Sequence, residues 1–356
     1  MGQIKNPEKL PPKREKIETL KILRQLSFSA SALGELKGDA KTIPNQAILI
    51  NAVVLQEAKE SSEIENIITT QDELYKALTT SGKHAVQVKE VINYRKAIFT
   101  GIEIIKEQGF LRVSDIETIQ STIVENNAGV RTMAGTVLKN ERTGEIVYTP
   151  PQEKSEILEL LNNFLEYFNI NRTDLHPLIN LAVLHYQFES IHPFYDGNGR
   201  TGRILNILYL ILNNFLDIPI LYLSSYINQN KADYYRLLNK VNKTGDWEEY
   251  ILYILKGIEE TSLKTIDKIN NIKVLLEISV NTARKKASKI YRKELIELIF
   301  EQPYSKIDFV VKRLNVERKA ASRYLKKLEE IGLLKSEKIG REVVYINEEL
   351  IDILKN

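Results

Sequence analysis

Cysteine is absent from this chain of 356 residues, and tryptophan and histidine are scarce, with one and four copies. Without thiols the chain has no disulfide framework, no thiolate metal centre and no cysteine nucleophile. A strong charge of one sign is also missing, because 50 basic residues face 47 acidic ones and leave a net charge of +3. This balance indicates neither a polyanion-coating protein nor a disordered one.

Long hydrophobic runs are missing as well. The longest apolar segment, Ile204 to Leu216, is interrupted by asparagines and is too short to cross a bilayer comfortably. The first residues have no apolar stretch of the kind that a signal peptide carries. With 43% hydrophobic and 27% charged residues, the composition is that of an ordinary globular protein. We therefore expect a soluble, cytoplasmic protein without membrane contact.

Apolar residues recur at helical spacing through most of the chain, which predicts a mainly α protein. One exception is a pair of β-favouring runs, 136–139 and 145–148, around a loop with Gly144, and this pattern predicts a hairpin. The length suggests about two to three domains. We predict an N-terminal helical region (1–85), a helical core (86–265), a helical connector (266–292) and a C-terminal unit (293–356).

The C-terminal unit follows a different pattern, in the order helix, short helix, turn, helix, hairpin. This order is typical of a winged helix-turn-helix, with the turn at Asn315 and the wing around Gly340. Residues 281–346 contain 17 lysines and arginines against nine acidic residues. Basic residues of the predicted second helix and wing leave two uses open, DNA binding and protein docking: Arg318, Lys319, Arg323, Lys326, Lys327 and Arg341.

Most of the chemical information lies in the segment HPFYDGNGRTGR, from His192 to Arg203. Gly197 and Gly199 allow a tight turn immediately before a helix, whose free N–H groups and positive dipole end favour an anion. Arg200 and Arg203 are three residues apart, so both project over the first turn of that helix. Guanidinium groups placed there fit phosphate oxygens.

Two further residues of the segment are suited to phosphate chemistry. Asp196 is a hard oxygen ligand that can hold Mg²⁺ against the same phosphates. His192 can take a proton, as a neutral imidazole, from a hydroxyl that attacks phosphorus. Together, a base, a metal carboxylate and an anion site predict phosphate-directed group transfer.

The same twelve residues resemble the Fic family signature, His-Pro-Phe-x-Asp/Glu-Gly-Asn-Gly-Arg-x-x-Arg, at every defined position. The resemblance extends over most of residues 10–265 and includes the predicted hairpin, the run LHYQFE at 184–189 and the tyrosines at 234 and 235. It implies a Fic-type helical core with a hairpin flap. It also implies a protein adenylyltransferase that moves AMP from ATP, bound with Mg²⁺, onto a serine, threonine or tyrosine of a target protein or of itself, releasing pyrophosphate.

The resemblance implies a role for each matching residue. His192 would be the general base and Asp196 the Mg²⁺ ligand. The phosphates would be bound by Gly197, Asn198, Gly199, Arg200, Thr201, Gly202 and Arg203, with the Asn198 side chain in the anion hole and Arg203 on the γ-phosphate. The nucleoside would lie near Tyr234, Tyr235 and Asn242. The flap would dock the target by strand addition through Gly135, Thr136 and Val137. A kinase branch of the superfamily has lysine in place of Gly199, which argues against γ-phosphate transfer here.

Ser61 and Glu65, in the segment SSEIEN, match the family's inhibitory pattern, Ser/Thr-x-x-x-Glu-Gly/Asn. A glutamate delivered to Arg203 can form a bidentate pair that competes with ATP. Ser61 lies one helical turn before Glu65 on the same face and can fix its geometry. We therefore expect autoinhibition by Glu65. Reverse removal of AMP through the same glutamate stays open.

A second class of function stays open beside the enzyme: a nucleotide-sensing, DNA-binding transcriptional regulator that uses the C-terminal unit. The intact His192 favours the enzyme, because a sensor has no need of a base beside the phosphates. Relatives that regulate themselves in this way suggest a homodimer. The sequence identifies neither the target protein nor the hydroxyl that accepts AMP.

Overall fold

The computed structural model describes residues 7–82, 84–139, 144–169 and 175–355. Five helices precede the hairpin: α1 (Leu20–Ala40), α2 (Gln46–Ile64), α3 (Gln71–Thr79), α4 (Val86–Gln108) and α5 (Val113–Val124). The hairpin consists of β1 (Leu138–Lys139) and β2 (Ile146–Tyr148). Six helices follow it: α6 (Lys154–Asn169), α7 (Pro177–Ile191), α8 (Asn198–Leu212), α9 (Leu223–Gln229), α10 (Lys231–Thr244) and α11 (Glu248–Lys286).

The C-terminal unit contains α12 (Lys293–Glu301), β3 (Tyr304–Ser305), α13 (Ile307–Leu314), α14 (Arg318–Glu330), β4 (Lys335–Ile339), β5 (Glu342–Ile346) and α15 (Glu348–Lys355). These elements follow the order that the sequence predicts, with β3 and α15 in addition. The three strands form an antiparallel sheet in the order β3-β5-β4. Strand β3 pairs Tyr304 with Ile346, and the β4–β5 turn has Gly340 at φ +60°.

Helices α7 and α8 form the centre of the fold. Both are apolar around most of their circumference, which is the pattern of a helix buried on all sides. They pack against each other and against α4, α5, α6 and α11. His176 caps the start of α7, where its Nδ1 accepts the N–H of Leu178 at 3.2 Å and Pro177 occupies the first helical position. The loop that joins α7 to α8, residues 192–197, therefore lies at the end of the buried central pair.

The N-terminal helices surround this centre. Helix α2 begins at an Asn45 cap, whose Oδ1 accepts the N–H of Ala47 at 3.0 Å. It packs against α4, α8, α9 and α12 and ends at Ile64, so that Glu65 is the first residue beyond the helix. Helix α1 lies along α11. This packing brings the end of α2 against the start of α8.

The mainly α fold class and the hairpin flap are confirmed. Strands β1 and β2 are antiparallel, with Leu138 opposite Tyr148, and the predicted loop lies outside the described residues except for Gly144. Helix α5 was not predicted, although Ile116, Ile119 and Ile123 recur at helical spacing and are fully buried. Within the described ranges, no helix is long and apolar enough to cross a membrane.

The predicted connector, 266–292, is not a separate element. Helix α11 continues without interruption through the boundary at residue 265, because neither glycine nor proline occurs between Gly257 and its end. Its middle is buried, and Lys268 donates to the carbonyl oxygen of Leu354 at 3.1 Å. The C-terminal unit also stacks Tyr304 on Tyr75 of α3, with ring centroids 5.3 Å apart. One long helix therefore belongs to both the core and the C-terminal unit.

Candidate active site

The backbone of the 192–197 loop is fixed at both of its ends. His192 ends α7 at φ +48°, and Gly197 precedes α8 at φ +78°. A Cβ atom at Gly197 would lie 3.0 Å from Val124 of α5, so glycine is required there for space as well as conformation. The buried Asn198 amide accepts the N–H of Phe194 and donates to its carbonyl oxygen, both at 2.8 Å. In this structure the Asn198 side chain therefore closes the loop, whereas the resemblance placed it in the anion hole.

Arg131 was not predicted from the sequence. It holds the loop in place through hydrogen bonds to backbone carbonyl groups. It is completely buried, and its Nε donates to the carbonyl oxygen of His192 at 2.8 Å. Its Nη2 donates to the carbonyl oxygen of Pro151, next to the hairpin, and its own N–H donates to the carbonyl oxygen of Pro193 at 2.9 Å. A single sequence gives no signal for this role, because Arg131 stands sixty-one residues before His192 in an irregular segment.

The start of α8 presents donors for an anion. Within the described residues, the backbone N–H groups of Asn198, Gly199 and Arg200 have no protein acceptor. The N–H of Gly197 donates to Oδ1 of Asp196 at 2.6 Å. Free N–H groups and the positive end of the helix dipole favour a phosphate at this position.

Asp196 projects from this loop into solvent, with 74% of its side chain exposed. Groups of three or more His, Asp or Glu side chains that could hold a metal are absent from the described ranges. Mg²⁺ commonly binds through one or two carboxylates while phosphates and water supply its other oxygens. One accessible carboxylate beside an anion site therefore fits Mg²⁺ that arrives with a nucleotide.

His192 is half-buried and is the first residue of the loop. Burial and the nearby charge of Arg131 lower the pKa of His192 to about 4, so its imidazole is neutral at pH 7. Its Nδ1 is enclosed by the protein, which leaves Nε2 as the nitrogen for a substrate. A neutral imidazole next to an anion site can accept a proton.

Arg200 is 3% exposed and lies between two carboxylates. Its Nη1 is 3.1 Å from Oε2 of Glu90, on α4, and its Nη2 is 3.4 Å from Oδ1 of Asp196. In this structure Arg200 therefore orients the predicted metal ligand and ties the loop to α4. Its Nε has no hydrogen-bond partner among the described residues.

Arg203 is bound by the end of α2. Its Nε donates to Ser61 Oγ at 2.7 Å, and its Nη2 donates to the Ser61 carbonyl oxygen at 2.9 Å and to Glu65 Oε1 at 2.8 Å. Burial alone would raise the pKa of Glu65, but the charge and hydrogen bond of Arg203 outweigh it and hold that pKa below its usual value. A Cβ atom at Gly199 would lie 2.3 Å from the same Glu65 oxygen. The carboxylate therefore lies over the start of α8, where an anion would bind.

Glu57, which lies on α2 about two turns before Glu65, is anchored in the interior. It is 3% exposed, accepts the hydroxyl of Tyr94 at 3.0 Å and accepts both the hydroxyl and the N–H of Ser224 from α9. Burial raises the pKa of Glu57 to about 7, against the lowering effect of these hydrogen bonds. Glu57 thus fixes α2 between α4 and α9 and positions Ser61 and Glu65 against Arg203.

Thr201 and Gly202 are both buried. Thr201 is fully buried, and a Cβ atom at Gly202 would lie 2.5 Å from Oε1 of Glu189 on α7. Gly202 therefore permits close packing of α7 on α8. Burial raises the pKa of Glu189 to about 7, and this residue was assigned no role from the sequence.

The three nucleoside candidates on α10 differ in accessibility. Tyr234 is 1% exposed, and its hydroxyl is 2.8 Å from Nε2 of His185, so it belongs to the interior in this structure and not to an open site. Tyr235 is 45% exposed. Asn242 accepts the hydroxyl of Tyr186 at 2.5 Å. Burial lowers the pKa of His185 to about 3, in agreement with a structural, neutral histidine.

The flap residues lie beside the loop. Tyr195 of the loop accepts the N–H groups of Thr132 at 2.9 Å and Met133 at 3.2 Å. Gly135 donates to Oε1 of Gln152 at 2.6 Å, and Nε2 of Gln152 donates to the Thr136 carbonyl oxygen at 3.0 Å. These contacts link the base of the flap to the signature loop and to the start of α6.

Three family descriptions match this chain. Residues 23–103 match "Fic/DOC family N-terminal", residues 110–210 match "Fic/DOC family", and residues 275–350 match "Protein adenylyltransferase SoFic-like, C-terminal domain". Among curated proteins, the chain is 26% identical over 186 residues to "Protein adenylyltransferase Fic" of Nematostella vectensis. It is 27% identical over 194 residues to "Protein adenylyltransferase fic-1" of Caenorhabditis elegans. Each alignment covers 52% of this chain, but only 41% and 35% of the respective relative.

Solved structures share the fold. A Fic family protein from Desulfovibrio desulfuricans matches with a TM-score of 0.60 at 18% identity, over 95% of this chain and 98% of that one. Fic-1 from C. elegans matches with a TM-score of 0.55 at 21% identity, over 70% and 74% of the two chains. The family matches extend from α1 into the C-terminal unit and include the signature loop. The chain therefore belongs to the Fic/DOC family.

Proposed function

We propose that this protein is an adenylyltransferase that transfers AMP from ATP to a hydroxyl group of a protein. One observation carries the proposal: the neutral imidazole of His192 and the free N–H groups at the start of α8 are joined by one short loop. A base and an anion site so placed suit the attack of a hydroxyl on a phosphate. The names of the curated relatives support AMP as the transferred group.

In the proposed reaction, His192 Nε2 takes the proton of the target hydroxyl as its oxygen bonds to the α-phosphorus of ATP. The bond between that phosphorus and the bridging oxygen of the β-phosphate breaks, and pyrophosphate leaves. The low pKa of His192 keeps the nitrogen unprotonated before the reaction. The same low pKa makes the imidazolium a ready proton donor, so the proton can pass on to the leaving pyrophosphate or to water.

The remaining residues stabilise charge and position the substrates. The N–H groups of residues 198–200 bind phosphate oxygens, and Arg203 binds the γ-phosphate after Glu65 has withdrawn. Asp196, oriented by Arg200, would hold Mg²⁺, which when bound would neutralise the charge of the polyphosphate. The flap, through Gly135, Thr136 and Val137, would align an extended target segment by strand addition.

The Glu65–Arg203 contact supports autoinhibition. The carboxylate lies over Gly199 and binds the arginine that the γ-phosphate needs, so nucleotide and glutamate compete for one guanidinium. Ser61 and the buried Glu57 hold α2 in the competing position. Activity therefore requires that the segment after α2 moves away from the start of α8.

A labelling experiment tests the proposal. The Glu65→Gly variant is incubated with ATP, Mg²⁺ and lysate, and modified proteins, including the enzyme itself, are identified by mass spectrometry. We expect AMP on a serine, threonine or tyrosine, and none when His192→Ala is added to the variant. Labelling that persists at the same rate without His192 would show that another group is the base.

A further inference from the structure

A basic groove of about 770 Å³ lies in the C-terminal part of the chain, outside the site described above. One wall is the end of α11 with the turn after it, where Lys286, Ser288 and Lys289 are exposed. The other wall is the outer face of α14. That wall contributes Lys319, Ser322, Arg323, Lys326, Lys327 and Glu330.

Five of the six cations that line the described groove lack acidic partners. Lys327 is 2.9 Å from Glu330, the one carboxylate of the lining. In the described part of the chain, none of the other five basic residues has a carboxylate within 4.0 Å. Some lysines elsewhere are paired, as in Lys21 with Glu248 at 2.8 Å and Lys256 with Glu259 at 3.0 Å. A concave surface with five uncompensated positive charges attracts a polyanion.

Three basic residues of helix α14 share one face. Lys319, Arg323 and Lys326 follow the spacing of a single helical stripe, while Ala321, Leu325 and Leu328 are buried on the opposite side. The helix follows a turn at Asn315, whose φ is +50°, so it is the second helix of a helix-turn-helix. An α-helix of this kind fits the major groove of B-form DNA.

The lining also argues against a protein partner. Protein interfaces have an apolar or aromatic centre. Here the apolar members of the lining are Ala287, which is buried, and Ile290, which is half-buried. The guanidinium of Arg323 is stacked on Tyr324, 5.8 Å from the ring centroid, and this contact holds it along the helix face. The surface thus presents cations and hydroxyls to its partner, which are the groups that bind phosphates and base edges.

We propose that this groove binds duplex DNA, with α14 in the major groove and Lys286 and Lys289 on the phosphate backbone. The two walls of the groove then contact different parts of the duplex. Contacts from the α11 end neutralise phosphates without regard to sequence, whereas Ser322 and Arg323 of α14 reach base edges. The binding does not depend on AMP transfer, because none of its residues belongs to the signature loop or to the segment after α2.

Binding of the full chain to a labelled DNA duplex of about three helical turns, measured by fluorescence anisotropy over a range of salt concentrations, tests the proposal. Each phosphate contact contributes about 0.9 to the slope of log affinity against log salt, so Lys286→Ala with Lys289→Ala should lower the slope by about 2. The matched control removes the ion-paired Lys21 and Lys256, which changes the net charge equally and should leave the slope unchanged. Arg323→Ala should weaken the preference among duplexes selected from a random pool.

Three outcomes would overturn the proposal. The first is no binding to the duplex at low salt. The second is binding that the groove variant and the control variant reduce equally, which would indicate a general charge effect. The third is tighter binding of polyglutamate of equal charge than of DNA, which would indicate an acidic protein partner. Circular dichroism of each variant, with the signal of the parent chain, shows that a loss of binding is not a loss of folding.

Discussion

Replacing Glu65 by glycine removes the carboxylate that lies over the start of α8. The change leaves the residues of α2 unaltered, because Glu65 follows the last helical residue. Arg203 then loses its partner at 2.8 Å but keeps its two hydrogen bonds to Ser61. The guanidinium is free to bind the γ-phosphate of ATP.

The size of the effect follows from the bond that is lost. A hydrogen bond between charged groups contributes about 1.5–3 kcal/mol. The Glu65 side chain is 35% exposed, and solvent screening favours the lower half of that range, about 1.5–2 kcal/mol. Since a tenfold change in affinity corresponds to about 1.4 kcal/mol, we expect ATP to bind about 10- to 30-fold more tightly to the Glu65→Gly variant.

Isothermal titration calorimetry with ATP and Mg²⁺ measures this difference directly. The matched control is Glu63→Gly, two residues away, which removes a carboxylate paired with Lys59 at 3.0 Å and should leave ATP affinity unchanged. Adding Arg203→Ala to Glu65→Gly should abolish the gain. Equal ATP affinity in the parent protein and in Glu65→Gly would refute the competition between the carboxylate and the nucleotide.

Three further predictions concern the residues around this pair. Ser61→Ala removes the hydroxyl that accepts from Arg203 Nε and should raise ATP affinity about fivefold, from a bond of about 1 kcal/mol; no change by calorimetry would contradict this. Arg131→Met leaves buried carbonyl groups of the loop unpaired and should lower the free energy of unfolding by about 2–4 kcal/mol in urea titrations; an unchanged midpoint would contradict it. Because the pKa of His192 is lowered to about 4, kcat/KM of Glu65→Gly should stay constant as the pH falls from 8 to well below the ordinary value of 6.5 and decline only as the imidazole becomes protonated; an acid limb centred at 6.5 would show that the imidazole is not shielded.

The sequence predicts the parts of the fold that have strong local signals. Helices α4 and α13 have apolar periodicity and clear end signals, such as Gly109 in the left-handed conformation after α4. Helix α9 has seven residues, and strand β3 has two, so neither gives a periodic signal. The sequence predicts helix on both sides of residue 265, but it gives no signal that the two stretches form one helix, α11, shared by the core and the C-terminal unit.

The candidate site likewise contains some residues that the sequence predicts and others that it does not. His192, Asp196 and Gly199 are close in sequence, and their arrangement in one loop follows from that segment alone. The supporting residues are distant in sequence: Arg131 on an irregular segment, Glu90 on α4 and Glu57 on α2. Their partners are selected by packing, which a single sequence does not show. The resemblance also implied that the Asn198 side chain lies in the anion hole, whereas in this structure its amide closes the loop.

The transferred group is tested most directly by the position of the radiolabel. The Glu65→Gly variant is given ATP labelled at the α-phosphorus or, in parallel, at the γ-phosphorus, and label on protein is counted. Transfer of AMP predicts incorporation from the α-labelled nucleotide alone. Incorporation from the γ-labelled nucleotide, or from neither, would contradict the account.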